Sequence, residues 1–436
     1  FSQLMRAAGP FPGNAAVAVA VSGGADSMTL LALARDWAGG AGASLTALAV
    51  DHGLRPESRA EAAQVAGWCR SQGVAHATLL WQGAKPEKGI QAAARAARYA
   101  LLEDWCRAQG HTELLVAHSQ NDQAETFLMR MSRGSGIDGL AAMPLVSFHD
   151  GVRLVRPLLS VPRRRIEATA AARGLKPVSD PSNLDRRYAR VRMRDKLELL
   201  DAHGVSVAAV AGTARIFGKM RAGRERAVAA LAVNILKLHP AGYAEISRAG
   251  LAAADPEPAG GLVAAVLMAV GGLDYAPRRA RFDRLILDML QNSDFRPRTL
   301  GNCVISTRGE NFLVRREYRT IRQCVPVASG CRVLWDGRYT VEFAEDPGID
   351  AAGYRLKSLG EDGWRQVVSA SDPSEIREYR AIPGLVRYAL PTVWQGEKVV
   401  DVPCLKYQTR GNAGKVVKIA EFRTPQLFAG HTFSVA

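Results

Sequence analysis

The stretch Val21–Met28, VSGGADSM, constrains this chain more than any other. It follows AAVAVAV (Ala15–Val21), an apolar run too short for a membrane span and suited to a buried strand. It leads into SMTLLALARDW, whose apolar residues recur at helical spacing. Strand, glycine-rich turn and helix in that order set free backbone N–H groups and the positive end of a helix before an anion. Gly23 and Gly24 allow positive φ and let a phosphate approach without a Cβ in the way. Ser22 and Ser27 add hydroxyl donors. Asp26 would repel a bare phosphate, so it predicts a divalent cation, magnesium, shared with the phosphates. The segment lacks the closing Gly-Lys-Ser/Thr of a Walker loop, and it is not the spaced G-x-G-x-x-G of a dinucleotide fold. A plain helix cap with a tight turn is the bland alternative; six specified positions between strand and helix argue against it.

From residue 15 to about 175 the chain alternates strand and helix patterns, which predicts a doubly wound, mainly parallel α/β sheet covered on both faces. SLTALAVDHG is a strand ending at Asp51 and His52, and a helix starts at Pro56 and stops at Gly73. HATLLW (His76–Trp81) is the third strand, and a long helix runs from about Lys88 to Gln109. ELLVAHS is the fourth strand, NDQAETFLMRM a helix, RLVRPLL (Arg153–Leu159) the fifth strand, and a further helix begins at Pro162. In open α/β sheets chemistry sits at the carboxyl ends of the strands. That rule collects Ser22–Ser27, Asp51–Gly53 and His118–Asp122 along one rim.

Among the 436 residues, 57 Lys and Arg oppose 42 Asp and Glu, a net charge of +15. With no basic amphipathic helix evident, that surplus points to nucleic acid before membrane. Arginines crowd after VSDPSN: Arg186, Arg187, Arg190, Arg192 and Arg194 face few carboxylates in sequence, and phosphate contacts are expected there rather than a merely solvated face. The six cysteines form no C-x-x-C pair and read as reduced cytoplasmic thiols. The first residues carry no signal-peptide pattern, and no transmembrane stretch is expected. Residues from about 205 to 290 are alanine-rich and predicted mostly helical; CRVLWDGRYTVEF predicts a hairpin turning at Asp336-Gly337. Three domains are expected: a catalytic one over 1–200, a mainly helical one over 201–325, and a small α/β or β-rich one over 326–436.

Arg95, Arg98 and Tyr99 share one helix, and Asp122 and Glu125 stand one turn apart behind His118. Paired carboxylates there suit a magnesium ion, an ammonium group or a proton, or simply a helix dipole.

SGGADS resembles the pyrophosphate loop of the ATP pyrophosphatases. Together with DHGLR, AARAARY, AHSQNDQAET running into RGSGIDGLAAM, RPLL and SDPSN, in that order, the chain resembles the tRNA(Ile)-lysidine synthetase family over residues of about 15 to 200. The resemblance implies an adenine nucleotide α-hydrolase-like fold. It implies ATP bound with Mg2+ by Ser22, Gly23, Gly24, Ala25, Asp26, Ser27, Asp51 and His52, the metal on Asp26. It implies a tRNA(Ile) with a CAU anticodon, its wobble cytidine adenylated at the C2 oxygen and then attacked by L-lysine. Asp26, His118, Asp122 and Glu125 become the candidate catalytic residues, and Arg95, Arg98, Arg133, Arg187, Arg190, Arg192 and Arg194 the candidate tRNA contacts. A homodimer is left open.

The chain departs from the family pattern in two places. The AHH-x-DDQAET stretch reads Ser119 and Asn121 at its second histidine and first aspartate, and Val191 replaces an asparagine usual after SDPSN. No role carries over to those three positions. Of the rival readings, a tRNA thiolase needs cysteines placed for sulfur transfer, whereas residues 1–200 hold only Cys69 and Cys106, each as Trp-Cys-Arg. A glutamine-dependent amidotransferase needs a further domain. A non-catalytic RNA- or nucleotide-binding homologue is disfavoured by the intact loop.

Overall fold

The computed structural model describes residues 1–54, 58–83, 85–86, 89–149, 151–178, 189–292, 294–409 and 416–436. Arg55, SDPSN (179–183), Arg186 and Arg187 lie outside the described residues. The chain divides into two compact units, one of residues Phe1–Gly223 with Phe433–Ala436, the other Arg224–Thr432.

The first unit runs α1 (Ser2–Ala8), β1 (Ala16–Ala20), α2 (Ala25–Ala41), β2 (Ser44–Asp51), α3 (Ser58–Ser71), β3 (Ala75–Leu80), α4 (Ile90–Ala108), β4 (Glu113–Leu115), α5 (Gln120–Met131) and α6 (Ile137–Leu140). It continues through β5 (Val146–His149), β6 (Val152–Val155), α7 (Arg163–Ala172) and α8 (Ala189–Ala202), then enters the long helix α9 (Val207–Ile235). Six strands lie in the order β3-β2-β1-β4-β6-β5, and all pairs are parallel except β5 with β6. The alternation of β1 divides two cores: Val17 and Val19 pack with Leu30, Leu31, Val65 and Ile166, while Ala18 on the opposite face packs with Leu102 and Cys106 of α4. Helices therefore cover both faces, as continuous apolar strands require. The expected fifth strand is shorter than its apolar run: β6 ends at Val155, and Pro157 opens a turn.

β1 lies between β2 and β4, so the chain order reverses there. Val19 pairs with Leu115, which brings the loops after β1 and β4 to the same level of the sheet. That crevice is the switch point where open α/β sheets bind ligands.

The second unit begins with an antiparallel five-stranded sheet, ordered Leu236–His239, Tyr243–Ser247, Asn311–Arg316, Cys303–Arg308 and Arg298–Leu300. Helices Pro256–Gly271 and Arg279–Gln291 bury Val263, Leu267, Leu285 and Met289 against it. The alanine-rich region is thus less purely helical than its composition suggested. Its first hairpin turns at Gly242, which takes φ +73°. Strands Arg332–Trp335 and Tyr339–Phe343 pair antiparallel, and Asp336 and Gly337 both take positive φ at their turn. A second five-stranded sheet includes Tyr354–Ser358, Pro391–Gln395 and Lys398–Val402. The expected boundary at 325/326 falls inside this unit. No helix among the described residues is long and apolar enough to cross a membrane.

Candidate active site

β1 leads into the loop Val21–Gly24, and α2 starts at Ala25 with no side-chain cap from Gly24. The N–H groups of its first turn therefore have no intrahelical acceptor and face the crevice mouth. Gly23 takes φ +83°, and a Cβ there would sit 3.1 Å from Val178 and 3.3 Å from Val65, so glycine is needed on two counts. The Gly23 carbonyl accepts from Val178 N–H at 2.9 Å, which fixes the loop. Ser27 Oγ donates to the Gly24 carbonyl at 3.0 Å and accepts from Ser22 N–H at 3.2 Å, holding both hydroxyls at the helix start.

Asp26 stands on the first turn of α2. Burial holds its carboxyl above the usual range, against Arg163, and the nearby Asp122 charge adds to the rise. Arg163 Nη2 lies 3.2 Å from Asp26 Oδ2. A half-buried carboxylate beside a second one, at the mouth of a turn rich in N–H donors, is a donor set that fits a hard divalent cation. Among the described residues no group of three or more His, Cys, Asp or Glu side chains is gathered as a metal cage, so such a cation would take its remaining oxygens from nucleotide and water.

At the end of β2, Asp51 Oδ1 accepts from Gly53 N–H at 2.8 Å and Ser58 Oγ at 2.7 Å. Burial works to raise its pKa, but these two donors hold it below the ordinary value. His52 packs edge-on to Trp81 with centroids 6.0 Å apart, and burial lowers its pKa.

After β4, His118 is 9% exposed, and its Nδ1 has no partner among the described residues. Burial first, then the charge of Arg156, hold its pKa far below the ordinary value, so the ring is neutral. Ser119 caps α5: its N–H and Oγ donate to Asp122 Oδ2 at 2.9 and 2.8 Å in a capping box. The Ser119 donors and the charge of Arg163 hold Asp122 below the ordinary carboxylate range despite its burial. Glu125 is fully buried, and burial raises its pKa, with Asp122 reinforcing and Arg194 opposing. Arg194 Nε donates to Glu125 Oε1 at 3.0 Å, and Arg190 stands 3.9 Å from Asp122.

The geometry thus brings together Ser22–Ser27, His118, Asp122 and Glu125 at one switch point, with Asp51 and His52 on the neighbouring strand. Arg95 and Arg98 flank Tyr99, their guanidinium carbons 5.1 and 5.6 Å from its ring, and the charges of Arg95 and Arg190 both bear on Arg98. Arg192 is exposed on α8, Val191 is half-buried beside it, and Arg133 is exposed just past the far end of α5, about 18 Å along that helix. Two of the departures hold structural positions: Ser119 caps α5, and Asn121 Oδ1 accepts the Arg163 N–H at 3.0 Å.

Sequence reasoning missed Arg163 and Arg156. Arg156 is 7% exposed and donates to the Pro144 carbonyl at 2.9 Å and to Ser147 Oγ at 3.2 Å. The available signal for Arg163 was a local conflict: Arg163, Arg164 and Arg165 fill the first turn of α7 with no acidic residue, against the helix dipole. Cys69 and Cys106 are buried, and burial pushes their thiols up to about 11 and about 12. Neither is poised as a sulfur nucleophile.

A model of the PP-loop domain family matches residues 2–199. The chain is 35% identical over 398 residues to a tRNA(Ile)-lysidine synthase of Wolbachia pipientis wMel, covering 90% of each chain. It is 35% identical over 391 residues to the enzyme of that name from Ruegeria pomeroyi, covering 88% of this chain and 87% of the other. To that of the Wolbachia of Brugia malayi it is 31% identical over 408 residues, covering 93% and 92%.

Proposed function

Because the chain belongs to the tRNA(Ile)-lysidine synthase family, we propose that it joins L-lysine to C2 of the wobble cytidine in a tRNA(Ile) with a CAU anticodon. The observation that carries this reading is the meeting, at one switch point, of an uncapped glycine-rich helix start with the carboxylates of α5. In the first step the cytidine C2 oxygen attacks the α-phosphorus of ATP, and pyrophosphate leaves. In the second the lysine ε-nitrogen attacks C2, the C2–oxygen bond breaks, AMP leaves with that oxygen, and the nitrogen gives up a proton.

Ser22, Gly23, Gly24, Ala25 and Ser27 bind the phosphates through N–H and hydroxyl donors. Asp26, with Asp122 beside it, would hold Mg2+, which when bound neutralises phosphate charge. Asp51 and His52 lie at the next strand end, on the nucleoside side. The lysine ammonium, with a solution pKa near 10.4, must lose a proton before it attacks. Glu125 is the group suited to take it: its carboxyl is held above the ordinary carboxylate range, and Oε2 has no partner among the described residues. Neutral His118 orients cytosine or lysine by hydrogen bonding, while Arg95, Arg98, Arg190 and Arg192 hold the anticodon-loop backbone. Residues 201–325 and 326–436 are assigned to gripping the rest of the tRNA.

The test is direct. The protein is incubated with ATP labelled at the α-phosphate, lysine and a tRNA(Ile) transcript with a CAU anticodon. Labelled AMP and a lysidine nucleoside by mass spectrometry support the reading. AMP released or formed on tRNA with no lysidine would overturn it.

A further inference from the structure

Arg163 occupies a place that neither the pyrophosphate-loop pattern nor the α5 motif contains. Its backbone N–H is held by Asn121 at 3.0 Å, and its guanidinium Nη2 reaches Asp26 Oδ2 at 3.2 Å. Its charge also bears on Asp122 and Glu125. One guanidinium thus answers carboxylates from two helices, at the spot where a divalent cation and the nucleotide would bring charges of both signs. A cation on Asp26 and an arginine on Asp26 compete, because both are drawn to the same oxygen pair. A guanidinium displaced from Asp26 remains tethered at the first turn of α7, within side-chain reach of the uncapped N-terminus of α2. Arginine there meets phosphate oxygens with parallel N–H donors, in a geometry that lysine lacks.

We propose that Arg163 is the exchangeable counter-cation of the nucleotide site: it neutralises Asp26 while no divalent cation is bound, and it donates to the nucleotide phosphates once Asp26 binds one. Asn121 is the positioning residue that anchors it. The departure of position 121 from aspartate has a consequence under this proposal. A neutral amide holds the Arg163 backbone without adding a fourth carboxylate to compete for the guanidinium. The inference rests on the ATP-dependent reading above, and its test uses neither tRNA nor lysine, so the two fail separately.

Mn2+ binding to the nucleotide-free protein is followed by electron paramagnetic resonance, and binding of a non-hydrolysable ATP analogue with Mg2+ by calorimetry. Arg163→Gln should bind Mn2+ more tightly and the analogue more weakly, each by roughly ten-fold, the size of one charge-assisted hydrogen bond. Arg163→Lys should restore part of the analogue affinity, and Asn121→Ala, which keeps the guanidinium, should move both affinities in the same direction by less. If Arg163→Gln is poorly folded by circular dichroism, Asn121→Ala decides alone. Mn2+ affinity unchanged or weakened in a folded variant overturns the counter-cation role. Unchanged analogue affinity overturns the phosphate contact. A wild-type protein that binds no analogue at all overturns the ATP-dependent reading instead.

Discussion

Arg194 donates its Nε–H to Oε1 of Glu125 at 3.0 Å, while Oε2 of the same buried carboxylate has no hydrogen-bond partner among the described residues. The pairing ties α8 to the helix that carries His118's neighbours, and it leaves one oxygen of a fully buried acid available. α8 therefore does two things with alternate arginines: Arg190 and Arg194, four apart, face the carboxylates of α5, and Arg192 faces outward.

Removing the guanidinium should expose the electrostatic cost of Glu125. Arg194→Ala should destabilise the protein by about 1–2 kcal/mol, less than a fully buried pair because Arg194 is one-third exposed. Urea unfolding of Arg194→Ala, Glu125→Gln and the double variant measures it. If the double variant loses as much as the two singles summed, the pair is not coupled.

Glu125 also predicts a pH dependence. Its folded pKa lies above the ordinary 4.5, by burial first and the Asp122 charge second. An acid with a raised folded value contributes stability that is complete below the unfolded value and is lost as pH rises through the folded one. Glu125→Gln removes that loss. The stability difference, variant minus wild type, should therefore climb as pH rises above about 4.5 and then level off. A difference that is flat or falling over that range would show that Glu125 ionises in the fold as easily as in the unfolded chain.

Asp26→Asn should abolish AMP formation while leaving the protein folded, with an equal or higher melting temperature. Burial already penalises the Asp26 charge, so its removal relieves the fold even as it removes the carboxylate proposed to hold the cation. Turnover within a few-fold of wild type at ordinary magnesium would refute the assignment.

In the second unit, Asp336 carries two buried arginines: Arg316 is bidentate at 2.9 Å on both oxygens, and Arg338 Nε lies 2.6 Å from Oδ2. Arg316 ends a strand of the first antiparallel sheet, whereas Asp336 and Arg338 sit in the following hairpin. Asp336→Ala should cost about 3–5 kcal/mol by leaving both charges buried and uncompensated. A chain ending at residue 325 should lose the Asn311–Arg316 sheet as well as the missing part. Retention of native circular dichroism and a cooperative melt in that truncated chain would contradict this.

How far these features were legible in the sequence depended on chain distance. β1, α2 and the polar residues at strand ends are local patterns, and the rule for open sheets placed them on one rim. Asp26 and Arg163 are 137 residues apart, and Glu125 and Arg194 are 69 apart. No periodicity connects such pairs; the packing of α7 on α2 brings the first together and that of α8 on α5 the second. RPLL reads as strand because leucine fits a strand, yet the pairing stops after Arg156, whose N–H donates to the Leu145 carbonyl at 2.8 Å, and Pro157, with no N–H to give, opens the turn. The hairpin at Gly242 was masked by alanine-rich flanks, where tertiary pairing overrides a modest helix preference.

The last prediction separates arginines that touch tRNA from arginines that hold the site together. Deleting one arginine that neutralises a phosphate of a single-stranded loop should flatten the slope of log affinity against log salt by about 0.7. Arg95 is exposed, stacks over Tyr99 and has no carboxylate ion-pair partner among the described residues, so its guanidinium is placed to meet a phosphate. Arg194 is engaged by Glu125 instead. Arg95→Ala should accordingly flatten the salt slope of tRNA binding by that amount, with no change in folding stability beyond about 0.5 kcal/mol. Arg194→Ala should lower stability and leave the slope where it was. Both variants are measured by filter binding over a range of potassium chloride, with urea melts alongside. The reverse pattern, a flatter slope in Arg194→Ala and an unchanged one in Arg95→Ala, would move the tRNA backbone from the Tyr99 face of α4 to α8 and would make the Glu125 ion pair a resting state that RNA displaces.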